Sequence, residues 1–233
     1  MAISEQRRQK KLQQKKKKRK LLGKAARAGL TSGHKALSYS KFPIHECLVP
    51  EGLFETGLGT VIWTRRTPHG SIAISAFIVN VFCLGVKNAL FNISNERDYE
   101  STVKPRLTMT HGDQTFQNIH PSCARKLIEG AISYAEKLGF SPHRDYQNAK
   151  GIFGDIDSQA CPTRFTYGSD GKPFYMRGPN ESSSQAKRIV DQLQRKCGEG
   201  NLRHPSLAIQ SSLHFLCRKN PTTGCHRHLK MPE

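Results

Sequence analysis

The chain lacks the long apolar runs that membrane insertion requires. No stretch of about 18 apolar residues occurs in its 233 residues, which excludes a transmembrane helix. A secretory signal needs an apolar segment after a short basic start, whereas this basic start runs into further Lys and Arg, so we do not expect secretion. Hydrophobic residues make up 36% of the chain. Because this share is low for a globular domain, part of the chain is expected to stay outside any core.

Common signatures of nucleotide and zinc binding are also missing. Neither of the two familiar phosphate-binding glycine loops occurs, and no two of the 7 cysteines have C-x-x-C spacing. The odd number of cysteines, with Cys83, Cys123 and Cys197 in apolar or helical contexts, favours reduced thiols and a reducing compartment. We therefore expect a cytoplasmic protein, or a nuclear one if the host is a eukaryote.

Positive charge is concentrated at the start of the chain. Residues 1–35 contain 13 of the 37 Lys and Arg and a single acid, Glu5, so they carry +12 of the formal +19. Like charges repel at these spacings and no apolar face is present, which predicts a disordered basic arm and linker over residues 1–41. Such a run releases counterions from nucleic acid, and its binding is steeply salt-dependent. The cations expected to bind in this arm are Arg7, Arg8, Lys10, Lys11, Lys15, Lys16, Lys17, Lys18, Arg19 and Lys20.

Three other interpretations of the arm compete with nucleic-acid binding. It has the composition of a nuclear-import signal, of a segment attracted to an anionic membrane surface, and of a solubilising tail. We favour RNA or a ribosome as the partner and no membrane, because no aromatic or aliphatic face would insert into lipid. The domain that follows is also a candidate for binding another protein while the arm tethers it to nucleic acid.

The middle of the chain predicts one α+β domain over residues 42–198, with a mostly antiparallel sheet and two main helices. Residues 59–66 form a predicted strand, and a turn at 67–70 leads to a second at 71–79, whose apolar alternation on both faces places it inside a sheet. We expect this strand to continue to residue 87, with Gly85 at a bulge or a close backbone approach. Residues 199–233 form a predicted irregular extension.

The two helices are predicted from apolar spacing and from their ends. The first follows Pro121, with Ser122 as its N-cap and Gly139 just beyond its end. The second covers 183–197, and Ser182 with Gln185 has the spacing of a capping box. Between them we predict a short strand at 151–156 and a hairpin whose loop contains Asp170 and Gly171.

Asp155 and Asp157 suggest an alternative function. On a strand these two carboxylates would share a face and bind one Mg²⁺, as in metal-dependent nucleases and phosphotransferases. A third acid would be required, and Glu46 and Asp113 qualify only by residue type. The favoured interpretation is a non-enzymatic RNA-binding protein that needs no cofactor.

Two sets of cysteines are weaker candidates for chemistry. The one tight Cys/His cluster consists of Cys217, Cys225, His226 and His228. Its spacing matches no standard zinc finger, so we expect no metal there. Cys47 and Cys83 have no base at a defined spacing, and a buried structural role is favoured over a nucleophile.

Two resemblances supplement these inferences. With the pieces CLGVK (83–87), FGDID (153–157) and GKPFYMRGPN (171–180), the chain resembles a bacterial protein family over about 43–198. That family implies a bacterial cytoplasm and no particular activity. Residues 122–197, predicted as helix, three strands and helix, resemble a double-stranded-RNA-binding domain. This resemblance implies phosphate contacts from Lys187 and Arg188 at the start of the last helix, although serines precede them where such domains have lysines.

Overall fold

Five antiparallel strands form the centre of the molecule in a computed structural model, which describes residues 33–109, 115–178 and 181–198. The strands are β1 (Ile44–Pro50), β2 (Leu58–Arg66), β3 (Ser71–Asn80), β4 (Gly85–Asn95) and β5 (Phe116–Asn118), in the order β4-β3-β2-β1-β5. The helices are α1 (Gly33–Ser38), α2 (Leu53–Thr56), α3 (Glu96–Asp98), α4 (Lys104–Thr108), α5 (Pro121–Lys137), α6 (Tyr146–Ala149) and α7 (Ser183–Cys197). The predicted α+β class, with an antiparallel sheet and two main helices, is confirmed. Residues 1–32 of the predicted arm and linker, and the predicted extension 199–233, lie outside the described residues. Residues 33–41, predicted as the end of a disordered linker, instead include α1, in which Ala36 is fully buried.

β3 is an interior strand with two buried faces, as its alternation predicts. Ile72 and Ile74 point to one side of the sheet and join Tyr99 in a small core. Ala73 and Phe77 point to the other side, where α5 covers the main core. The turn between β2 and β3 is also confirmed, and Gly70 adopts a left-handed φ of 74° there.

The predicted continuation of β3 to residue 87 is wrong. The chain reverses at residues 81–84, and β4 returns antiparallel to β3. The Asn80 carboxamide oxygen accepts hydrogen bonds from the backbone N–H groups of Cys83 and Leu84 at 2.8 and 2.9 Å, which stabilises this reversal. Gly85 makes the expected close approach. A Cβ at this position would lie 2.9 Å from the Ala135 Cβ.

Both long helices are found, with one difference at an end. The N-cap of α5 is His120 instead of Ser122, because Pro121 already has the φ of a first helical residue. α7 begins and ends as predicted, with the Ser182–Gln185 capping box formed and Gly198 directly after it.

The segment between α5 and α7 departs most from the prediction. Residues 151–156 do not form a strand. Lys150–Phe153 is a 3₁₀ helix, because a short apolar run fits either structure. The predicted hairpin is reduced to a turn with a single bridge between Ser169 and Lys172. The helix–three strands–helix order of the RNA-binding-domain resemblance is therefore wrong in the described part of residues 122–197.

The backbone of this segment bonds elsewhere. The Gly168 and Phe174 N–H groups donate to the carbonyl oxygens of Val81 and Phe82 at 2.9 and 3.4 Å. These backbone N–H groups bond to the β3–β4 turn and are therefore not available to pair strands within the segment itself.

Residues 96–108, which sequence patterns left unassigned, cover the second face of the sheet over β1, β2 and β3. Leu90 of β4 lies on the same face and stays 45% exposed. α3 is followed by a π-helical turn, Tyr99–Val103, and then by α4. Tyr99 is fully buried against Leu48, Ile62 and the β3 isoleucines. None of the described helices combines the length and apolarity that crossing a bilayer requires.

Candidate functional site

The cations predicted to bind nucleic acid fall into two groups. The ten in the arm, from Arg7 to Lys20, lie outside the described residues. Lys187 and Arg188 lie on the exposed side of α7, because Ala186, Val190 and Leu193 turn the opposite side of the helix into the core. Arg195 and Lys196 are exposed on the last turn of the same helix. We call these four cations the α7 basic face.

The sequence also predicts that Arg65 and Arg66, at the end of β2, extend the nucleic-acid-binding surface. Arg65 is instead 95% buried, since its relative exposure is 5%. Its guanidinium donates hydrogen bonds to the carbonyl oxygens of Ile152, Phe42 and Phe153 at 2.7, 2.5 and 2.9 Å. Burial lowers the pKa of this guanidinium. Arg66 is exposed and pairs with Glu96, so neither side chain offers a free cation.

Asp155 and Asp157 do not share the face of a strand. They follow the Lys150–Phe153 3₁₀ helix, and both are exposed. The Asp157 carboxylate accepts from the Gln159 N–H at 2.8 Å and caps a second 3₁₀ turn. The shared strand face on which the predicted Mg²⁺ site depends is therefore absent at these two acids. Asp113, a candidate for the third acid, lies outside the described residues.

Among the described residues, Cys47 and Cys83 are buried thiols, and Cys123 and Cys161 form a disulfide. Burial raises the pKa of both Cys47 and Cys83 to about 12, so neither thiol is a ready nucleophile at neutral pH. Cys123 and Cys161 are joined by a disulfide, which corrects the expectation that Cys123 is a reduced thiol. Sequence spacing did not reveal this pair because 38 positions separate its members. The cluster of Cys217, Cys225, His226 and His228 lies outside the described residues.

A group of polar side chains at the start of β1 was only partly foreseen from the sequence. His45, Glu46 and Glu100 each offer a ligand atom, and these three atoms lie within 4.8 Å of one another. Lys104 approaches the same place, with its Nζ 2.9 Å from Glu46 Oε2 and 3.5 Å from Glu100 Oε2. The Tyr99 hydroxyl donates to Glu46 Oε1 at 2.5 Å. We call these five residues the bulge cluster.

A β-bulge makes this cluster possible. Neighbouring residues of a regular strand point to opposite faces, yet ligand atoms of His45 and Glu46 both lie within 4.8 Å of one on Glu100. The pairing of β1 with β2 shifts by one residue between Ile44 and Cys47, so the strand has an extra residue there. The Thr64 hydroxyl fills the resulting gap, accepting from the Glu46 N–H and donating to the Glu46 carbonyl oxygen at 3.0 Å each.

The π-helical turn provides the other half of the bulge cluster. Residues five apart on an α-helix point about 140° away from each other, whereas a π-helical turn brings them to nearly the same side. Tyr99 and Lys104 are five apart across this turn, and both contact Glu46. Hydrogen bonding to Glu46 adds to burial in raising the pKa of Tyr99, which keeps its hydroxyl a donor.

A second polar group connects β4 to α7. Lys87 Nζ lies 2.5 Å from Glu181 Oε1, and the Tyr175 hydroxyl donates to Glu181 Oε2 at 2.6 Å. Burial alone would raise the pKa of the Glu181 carboxyl, but the hydrogen bonds from Lys87, Tyr175 and the Gly178 N–H together hold it below its ordinary value. These hydrogen bonds hold the start of α7 against β4 and have a structural role.

The fold and these clusters define an α+β domain whose sheet is packed on both faces at its centre and whose last helix carries exposed cations. The chain matches no protein-family model, no curated protein and no solved structure. Its function must therefore be argued from its own residues.

Proposed function

We propose that the protein is a non-enzymatic nucleic-acid-binding protein, associated with RNA or a ribosome and anchored by its polybasic arm. The observation that carries the proposal is the segment 7–20, in which ten of fourteen residues are Lys or Arg and none is acidic. Each cation placed against a phosphate releases condensed counterions, and this term is independent of base sequence. The arm therefore supplies affinity more than specificity.

The α7 basic face supports the proposal from within the domain. Lys187 and Arg188 project from the first two turns of a helix whose capping box fixes its start. Their exposure leaves both side chains accessible to phosphates. The domain then extends the contact made by the arm, which is how phosphate contacts fix the orientation of a protein on its nucleic acid.

The burial of the aromatic side chains of β2 and β3 favours contact with the phosphate backbone over stacking on bases. Proteins that stack bases on a sheet expose aromatic side chains there. Here Trp63 and Phe77 are fully buried, and the Tyr167 hydroxyl donates to the Leu127 carbonyl oxygen at 3.0 Å. Recognition through cations accordingly fits the domain better than recognition through aromatic platforms.

Two matched triple variants test the proposal. One replaces Lys16, Lys17 and Lys18 by Gln, and the other replaces three exposed lysines of the domain, Lys41, Lys137 and Lys172. Both lower the net charge by three. Binding of the full chain to a fluorescent single-stranded RNA is measured by fluorescence anisotropy. The salt concentration is raised from about 50 to about 300 mM, a range over which phosphate contacts weaken steeply.

The arm variant should lose about 2 units of the slope of log K against log salt, at about 0.7 per cation. The domain variant should lose much less. Equal losses in the two variants would show that net charge, and not the arm, governs binding. An unchanged slope in the arm variant would refute the proposal outright.

The alternative, a metal-dependent nuclease or phosphotransferase using Asp155 and Asp157, has no feature of the described fold in its favour. RNA cleavage that needs Mg²⁺ and disappears in the Asp155→Asn variant would overturn the non-enzymatic part of the proposal.

A further inference from the structure

We propose that the bulge cluster is a binding site for one divalent metal ion of the Mn²⁺ type, with His45, Glu46 and Glu100 as its protein ligands. The inference is independent of the proposed function, because it uses neither the arm nor the α7 basic face. It rests on the donor atoms, the backbone that brings them together and the cation that already lies among them.

The donor atoms suit such an ion. The three ligand atoms lie within 4.8 Å of one another, and His45 Nε2 lies 3.6 Å from Glu100 Oε1. Metal–ligand bonds of about 2.1 Å place neighbouring ligands of an octahedral ion about 3.0 Å apart. A small closing movement of the half-exposed Glu100 side chain would therefore complete the set.

Two backbone irregularities converge on these donors. The β-bulge turns His45 and Glu46 toward the same side, and the π-helical turn presents Glu100 opposite them. Bulges of both kinds are concentrated at functional sites, where they redirect side chains. Here their common effect is to gather one imidazole and two carboxylates at a single point.

Lys104 shows that the cluster already holds a cation. Its ammonium lies between Glu46 and Glu100, and 30% of its side chain is exposed. Its departure would leave two carboxylates and an imidazole, and the two carboxylate charges would match a divalent ion. The Tyr99 hydroxyl would keep Glu46 oriented, as hydrogen bonds to ligating carboxylates do in metal sites.

The ligand types indicate which ion binds. Two carboxylate oxygens and one imidazole suit Mn²⁺ or a similar first-row ion better than a thiol-seeking one. Cys47, the next residue of β1, lies in the core on the other face of the sheet and is no ligand. The three protein ligands would leave the remaining coordination positions open to water.

The test is a Mn²⁺ titration of the full chain. The concentration of the free ion is measured at each step from its electron paramagnetic resonance signal. Mn²⁺ is the probe because the free thiols elsewhere in the chain bind it weakly. We expect one bound ion, and an affinity about 10- to 100-fold weaker in the His45→Ala and Glu100→Gln variants. His69→Ala, at the exposed β2–β3 turn, is the control and should bind as the unaltered chain does.

Lys104→Gln separates a metal site from a purely structural ion-pair network. If the ammonium competes with the ion, its removal should tighten Mn²⁺ binding about fivefold or more, because one like charge fewer lies beside the metal. Affinity that is unchanged or weaker in Lys104→Gln overturns the proposal. So does an affinity of the Glu100→Gln variant equal to that of the unaltered chain, with folding of each variant verified by circular dichroism.

Discussion

Replacing Arg65 by Met should destabilise the domain strongly and leave RNA binding unchanged. Arg65 is a buried cation whose guanidinium is held by three main-chain carbonyl groups and contacts no carboxylate among the described residues. Met keeps most of the apolar stem. The substitution therefore removes the three hydrogen bonds while changing the packing little.

The expected loss follows from those three bonds. A hydrogen bond from a charged donor contributes about 1.5–3 kcal/mol. Part of this sum is offset, because the buried guanidinium no longer has to be desolvated. A net loss of about 3 kcal/mol remains, the lower end of the range for disrupting a buried charged network. In a domain of this size it corresponds to a fall in Tm of about 6–12 °C.

Thermal unfolding by circular dichroism measures this change, and Arg66→Gln is its matched control. Arg66 is the next residue and a like cation, but it is exposed and pairs only at the surface with Glu96. An exposed pair contributes at most about 1 kcal/mol. If the Arg65 variant were no less stable than the Arg66 variant, or if its RNA affinity fell with its stability intact, the assignment of Arg65 to the core would be refuted.

Three further predictions concern single positions. Because the folded pKa of Glu181 is lowered, its contribution to stability is present at neutral pH and is lost as the pH falls below about 4.5. The free energy of unfolding in urea should therefore fall less with acidification in Glu181→Gln than in the unaltered chain. The same pH dependence in both proteins would contradict the ion pair with Lys87. Gly85→Ala should lower the free energy of unfolding in urea by about 3 kcal/mol, because Gly85 has a φ of 64° and an added Cβ would crowd α5. Gly70→Ala, with open space around it, should cost only about 1 kcal/mol, so equal losses would rule out the close approach. Cys161→Ser should lower stability by about 3–4 kcal/mol. Dithiothreitol should do the same to the unaltered chain but not to the variant, and a Tm insensitive to the reductant would mean that the bond to Cys123 is absent.

Local patterns predicted the elements that depend on neighbouring residues. The alternation of residues 71–79 indicated a strand buried on both faces, and β3 is such a strand. The capping box at Ser182 fixed the start of α7, since its hydrogen bonds join residues three apart. Patterns failed where the signal was short. The apolar run at 151–156 fits a strand as well as a 3₁₀ helix, and two of its carbonyl groups, those of Ile152 and Phe153, accept hydrogen bonds from Arg65 on β2.

The bulge cluster marks the other limit of sequence reasoning. His45 and Glu46 are adjacent in sequence, which predicts opposite directions on a regular strand. Only the register shift against β2 turns them together. Glu100 lies more than fifty positions away, on a segment whose polar sequence indicated no structure. No spacing rule connects these residues.

The sequence by itself determined the charge distribution and the α+β class. Net charge and hydrophobic periodicity are properties of composition and of near neighbours, so they can be counted along the chain. Tertiary structure decided which cations are available, burying Arg65 and exposing Lys187. It also decided which acids meet, separating Asp155 and Asp157 from a shared strand and gathering Glu46 with Glu100. Such encounters depend on strand register and helix placement, which are set by packing among residues far apart in the sequence.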